Sequence, residues 1–171
     1  LGPSKSMFPY TDWRRYLVEG WSISGMTSVY GGDPLAIYPQ FNNTGGVGQA
    51  LRVNTLPGVD PSVPNPRPDL WFNPLAFTQP DDFTIGNASR THSSLRAPGS
   101  QNHDLSLSKR FALQADRAVE FSAVAFNFVN HANWTDRDTM IGPASAPNAN
   151  AGKIIGSRGS RVIQLGLRYS F

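Results

Sequence analysis

The 171 residues suffice for one ordinary domain or for part of a larger one, and the net charge of +3 is too small and dispersed for a nucleic-acid groove. Glycine and proline number 16 and 14, roughly one residue in six against an average of about 12%, so turns abound and long helices are disfavoured. Cysteine is absent, which removes disulfide scaffolds, thiolate metal sites and cysteine nucleophiles.

No run reaches the ~18 apolar residues of a membrane-spanning helix, and residues 1–10 lack a signal peptide's apolar core. Leucine rather than an initiator methionine comes first, as expected of a fragment or a processed chain. A strand-built membrane protein stays open, since each crossing takes only ~9–11 alternating residues.

Four stretches alternate with period two, the mark of a strand with two unlike faces. In the first, near 17–30, Trp21, Ile23, Thr27 and Val29 share a face with Gly25, against Ser22, Ser24, Met26 and Ser28. Residues 31–100, dense in Gly, Pro, Asn and Asp, read as a long loop. The second stretch, near 101–113, sets Leu105, Leu107, Phe111 and Leu113 against Asp104, Ser106, Ser108 and Arg110, with Lys109 interrupting the apolar row. A hairpin-sized turn at Gln114-Ala115-Asp116-Arg117 leads into the third, near 118–130. There Val119, Phe121, Ala123, Ala125 and Val129 oppose Glu120 and Ser122, and the second row turns apolar at Val124, Phe126 and Phe128. Another long loop, 131–159, precedes the fourth stretch, 160–171. This one sets Ile163, Leu165, Leu167, Tyr169 and Phe171 against Gln164, Gly166, Arg168 and Ser170. Inside the second loop, Lys153-Ile154-Ile155-Gly156 is a candidate extension of the last hairpin across a turn at Arg158-Gly159.

Two folds use such strands. In a soluble or secreted β-sandwich binding glycan or protein, the apolar row faces a core. In a membrane barrel it faces lipid, and the polar row faces the lumen. Loop lengths favour the barrel, because long structureless connections argue against a compact soluble domain but are normal on one rim of a barrel. Residues 160–171 span ~40 Å when extended and ~28 Å when tilted by ~45°, enough for an apolar band about 25 Å tall. Aromatics near strand ends, Trp21, Tyr30, Phe111, Trp134, Tyr169 and Phe171, suit interfacial girdles.

The closing residues Gln164-Leu165-Gly166-Leu167-Arg168-Tyr169-Ser170-Phe171 resemble the C-terminal assembly signal of bacterial outer-membrane barrels, with Gln164, Gly166, Tyr169 and Phe171 at its defined positions. More of the chain resembles the barrel portion of Oar-like TonB-dependent receptors (carboxypeptidase-regulatory-like outer-membrane proteins). Gly20-Trp21-Ser22-Ile23-Ser24-Gly25 is similar to that family's strand opening, and Arg67-Pro68-Asp69-Leu70-Trp71-Phe72-Asn73-Pro74-Leu75-Ala76-Phe77 to its large-loop motif, without the usual spacer. Gly86-Asn87-Ala88-Ser89-Arg90, Leu95-Arg96-Ala97-Pro98-Gly99 and Asp104-Leu105-Ser106-Leu107-Ser108-Lys109 follow in the family's order. Phe126-Asn127-Phe128-Val129-Asn130-His131-Ala132-Asn133-Trp134 resembles its strand end, where Asn-His-Pro-Asn-Phe is more usual.

The resemblance implies an all-β fold: antiparallel up-and-down strands forming the C-terminal part of a large transmembrane barrel of about 22 strands, with long extracellular loops. It implies the bacterial outer membrane as location, with lipid, the remainder of the barrel, a plug and the barrel-assembly machinery as partners. Energy would come from the TonB complex through the plug, which these 171 residues do not contain. The ligand is unidentified, and no cofactor, nucleic acid or catalysis is expected. Four strands cannot close a barrel, since the smallest membrane barrels need eight.

Other chemistry is thin. His92, His103 and His131 lack metal-ligand spacing, and Thr135-Asp136-Arg137-Asp138 lacks the remaining ligands and glycine of a calcium loop. No Gly-x-Ser-x-Gly elbow accompanies the serines, and Gly45-Gly46-Val47-Gly48 lacks the lysine of a phosphate loop. Arg110, Glu120 and Arg168 are candidate lumen-facing residues, either lining a ligand path or forming a charge ladder worth ~0.2–1 kcal/mol per pair. Trp71, Phe72 and Phe77 form a candidate aromatic cluster in the large loop, as a ligand platform or as a small core pinning that loop.

Overall fold

The computed structural model describes residues 13–46, 51–113 and 116–171; Gln114 and Ala115 of the expected hairpin turn and Val47 and Gly48 of the glycine-rich run lie outside them. Alternating side chains rich in aromatic and aliphatic residues fit a pleated, two-faced surface. They form four long strands, Trp21–Tyr30, Ser100–Ala112, Ala118–Phe126 and Val162–Ser170, joined in one sheet in chain order. Their lengths of 10, 13, 9 and 9 residues meet the ~9–11 that a tilted membrane crossing requires.

Register decides which residues share a face. Leu105, Ala125 and Ile163 form one rung across the last three strands, followed by Leu107, Ala123 and Leu165, then Lys109, Phe121 and Leu167, then Phe111, Val119 and Tyr169. The first strand runs antiparallel to the second: Arg110 N donates to Gly20 O at 2.8 Å, while at the other end Thr27 Oγ1 lies 3.0 Å from His103 Nδ1. All four apolar rows therefore meet on one side of the sheet. That side is bare, with Leu165 77% and Leu167 69% exposed. A β-sandwich would bury this row under a second sheet, and among the described residues no second sheet lies over it.

Three boundaries differ from the sequence reading. Residues 17–20 are not strand: Arg15–Val18 form one helical turn, and Gly20 (φ +74°) swings the chain into the sheet where a Cβ would lie 2.2 Å from Arg110 O. The third strand stops at Phe126 rather than near residue 130, because Asn127 and Asn130 take left-handed φ of 49° and 55°, a region asparagine tolerates. Asn127 holds that exit in place. Its Nδ2 donates to His131 O and Gly159 O, its Oδ1 accepts from His131 N, and its own N–H donates to Asp104 Oδ1 at 2.9 Å. The extension of the last hairpin is two residues long, Ser157–Arg158 paired antiparallel with Asn133–Trp134, while Ile154 contributes a single bridge to Arg137.

The stretches read as loops carry structure of their own. Residues 30–100 and 133–158 form a second compact unit. Within it Pro34–Leu35 pairs with His92–Arg96, Asn54–Thr55 with Phe77–Thr78, and Tyr38–Pro39 runs parallel to Met140–Ile141. Its interior gathers Leu35, Ile37, Val53, Phe72, Phe77, Leu95 and Ile141. The hydrophobic core thus lies in the long connections, and the long strands leave their apolar side uncovered.

Arginine at Leu165 or Leu167 in the intact protein is expected to remove about 2–4 kcal/mol of folding free energy in lipid vesicles, measured by urea titration of tryptophan fluorescence. Gln164→Arg, on the opposite face, is expected to leave the midpoint nearly unchanged. Equal losses at both positions would refute the facial assignment.

Candidate functional site

Aromatic side chains from all four strands collect on the bare face toward the end where Leu113 N donates to Arg117 O. Phe111 and Phe121 meet edge to face at 6.0 Å between centroids, and Tyr169 stacks on Phe171 at 6.0 Å. Lys109, only 5% exposed, belongs to the same row. Its Nζ donates to Glu19 O and sits 5.1 Å from the ring centroids of both Trp21 and Phe111. A lysine is tolerated in an apolar row on these terms, covered by its neighbours with the ammonium bonded to a carbonyl and held over aromatic rings.

The residues of the terminal pattern divide between the faces. Gln164 opposes Val124 and Gly166 opposes Ser122 on the polar side; Tyr169 opposes Val119 on the apolar side, and Phe171 follows the strand almost fully exposed. A Cβ at Gly166 would lie 2.5 Å from Ser122 Oγ, so glycine there makes room for the hydroxyl of its rung partner. Glu120 stands in register with Arg110 on one side and Arg168 on the other, on the face away from Leu167 and Tyr169.

In the second unit, Phe72 (1% exposed) and Phe77 lie in the core, edge to face at 6.1 Å. Trp71 is partly buried against that core, donating from Nε1 to Arg96 O at 2.7 Å and meeting Trp134 edge-on at 5.6 Å. His92 contacts Phe77 edge to face at 5.1 Å with its Nε2 buried and unpartnered, and burial lowers its pKa from the usual 6.5.

A polar and an apolar cleft open among the described residues of this unit. The polar one, of about 390 Å³, is bordered by Tyr38, Asp136, Arg137 and Thr139. The apolar one, of about 410 Å³, is bordered by Leu56, Leu75 and Phe77 from the longer connection and by Ile141, Pro143 and Ala151 from the shorter. Both fall within the ~300–1,000 Å³ of small-molecule sites. Leu75 owes its position to Asn73, whose Oδ1 accepts from Leu75 N at 3.1 Å and starts a tight Pro74–Ala76 turn. Asn73 N in turn donates to Pro61 O, beside Asp60. The Asp60 carboxylate accepts from the N–H and hydroxyl of Ser62, which lowers its pKa.

Sequence reading missed Phe83. Its backbone is left-handed (φ 60°) and the residue is 86% exposed. Asn43 fixes this tip: its carbonyl accepts from Phe83 N, and its Nδ2 donates to Asp81 O and Thr84 O. A bulky residue in that region is strained, and nothing local in Asp81-Asp82-Phe83-Thr84 announces it, because the restraint comes from about forty residues away.

A sheet that leaves one apolar side bare, collars it with aromatics at one end and sends its long connections from the other is part of a membrane barrel wall. A family model described as Outer membrane beta barrel domain matches residues 1–164, and the chain belongs to that family. Its place is the bacterial outer membrane, in contact with lipid. No curated protein and no solved structure matches the chain.

Truncating Phe72 to alanine is expected to cost the second unit about 3–5 kcal/mol, read as faster amide exchange in residues 51–97 with the long strands unaffected. His92 adds a pH dependence. Its folded pKa lies below the unfolded 6.5, so the unfolded ring protonates first as the solution acidifies. Its contribution is complete above 6.5 and is lost as pH falls toward the folded value. Amide exchange corrected for intrinsic rate should show this loss, and His92→Leu should flatten it.

Proposed function

We propose that the chain supplies the C-terminal barrel strands of an Oar-like TonB-dependent receptor that captures or imports an extracellular ligand, without catalysis. The observation that carries the reading is the second unit, where two connections from the long-loop end of the sheet share a core and border an apolar cleft of about 410 Å³. Long connections lie outside the cell in outer-membrane barrels, so this unit stands where a ligand first arrives. Both edges of the four-stranded sheet lack a partner among the described residues. Exposed backbone donors and acceptors cannot be left in hydrocarbon, so further strands must complete the wall. A closed wall of that kind offers the polar row, with Arg110, Glu120 and Arg168, to a plug. The order of motifs from Gly20-Trp21 to the terminal Tyr169-Ser170-Phe171 favours the receptor family over other barrels.

The apolar border of Leu56, Leu75, Phe77 and Ile141 suits a ligand with a sizeable hydrocarbon or aromatic portion. The receptor reading is tested with the intact protein extracted from outer membranes and mixed with the purified periplasmic domain of its own cell's TonB. Saturable binding that disappears when the plug is deleted is expected. A folded, heat-modifiable barrel that ignores TonB under all conditions would refute it. Removing Phe171 is expected to lower the amount of protein assembled in the outer membrane, measured by surface proteolysis of whole cells.

A further inference from the structure

The helical turn before the first strand has no part in the reading above. Trp13, Tyr16 and Leu17 are all exposed and stand at i, i+3 and i+4, the spacing that puts side chains on one helical face. Backbone bonds from Tyr16 N to Trp13 O and from Leu17 N to Arg14 O close the turn. Arg14 and Arg15 fall between these apolar residues in the sequence.

The turn is tied to the sheet at three points. Trp21 Nε1 donates to Leu17 O at 2.7 Å, Lys109 Nζ to Glu19 O, and Arg110 N to Gly20 O at 2.8 Å. Two of these donors, the Trp21 indole and the Lys109 ammonium, belong to side chains of the apolar, lipid-facing row. Two of the three ties thus reach the turn from the lipid side of the rim, beside the aromatic collar, and Tyr16 borders a cleft with Phe111, Leu113 and Arg110 at the same rim. The short connection from the second long strand to the third also leaves from this rim, and in outer-membrane barrels the short connections face the periplasm.

We infer that residues 13–18 form an interfacial anchor, with Trp13, Tyr16 and Leu17 set in the headgroup layer of the periplasmic leaflet. The occupant of this surface is phospholipid. The aromatic collar already meets lipid at that level, and Trp21 of that collar holds the turn directly through Leu17 O. Aromatic and leucine side chains interleaved with arginine are the composition that settles at a phospholipid boundary.

The test uses the absence of cysteine from the 171 residues. Leu17→Cys is made in the intact protein, with any cysteine elsewhere replaced by serine, and carries a polarity-sensitive nitrobenzoxadiazole dye. The protein is folded into vesicles of phosphatidylethanolamine and phosphatidylglycerol. Some vesicles carry lipid spin-labelled near the headgroup, others lipid spin-labelled near the acyl terminus. Leu165→Cys and Ser106→Cys serve as references for deep lipid and lumen. The expected result at position 17 is strong quenching by the shallow label, weak quenching by the deep one, and little by a water-soluble quencher. Quenching from water alone would show a solvated turn and overturn the proposal, as would protection from every quencher, which would mean that protein covers it. Trp13→Cys provides a second reading of the same face. This outcome is independent of ligand and TonB, so it separates from the fate of the receptor reading.

Discussion

Everything in this molecule follows from placing a peptide backbone beside hydrocarbon. Amide groups there have no water to bond with, so they must bond to neighbouring strands, and the sheet is the result. Side chains then sort by the pleat. The rungs Leu107–Ala123–Leu165 and Lys109–Phe121–Leu167 can share one face only because both hairpins hold a register in which odd-numbered residues meet odd-numbered residues. A slip by one residue in either hairpin would turn an entire row of leucine, isoleucine and phenylalanine into the lumen and send serine, glutamate and arginine into lipid.

The devices at the two ends of the sheet protect that register. At one end Gly20 turns the chain against Arg110, and Lys109 grips the carbonyl of Glu19 from among aromatic rings. At the other Asn127 gathers Asp104, His131 and Gly159 into one polar knot. Each uses groups that have no place in the middle of the membrane, a lysine ammonium and a bundle of amides. They stand where water or headgroups begin.

The four strands and their faces were readable because period-two alternation is a local signal and each residue's side follows from counting. Lys109 stood out as an interruption for the same reason, although its solution, reaching along the surface to the Glu19 carbonyl, depends on a residue 90 positions away. The strand ends were less legible. Val129 kept the period, but the left-handed turn at Asn127 had already taken the chain out of the sheet. The long connections were the least legible part. Their many asparagines look like ordinary turn formers, yet several act as long-range clamps: Asn87 Oδ1 accepts from Thr55 N, Asn54 Oδ1 accepts from Asn87 N, and Asn43 holds the Asp81–Thr84 tip. Such pairings carry no periodicity. Trp71, Phe72 and Phe77 were visible as a cluster, but neighbours along the chain do not reveal that two of the rings turn inward while the third lies along the edge of the core.

The wall and the unit built from its long connections have separate sources of cohesion, hydrogen-bonded rungs in one and an enclosed apolar interior in the other. Substitutions on the outside of the second unit need not disturb the register of the strands. Grafting a different surface onto the second unit is thus a change that the hydrogen-bonded rungs of the wall can tolerate, since none of their register partners lies in it.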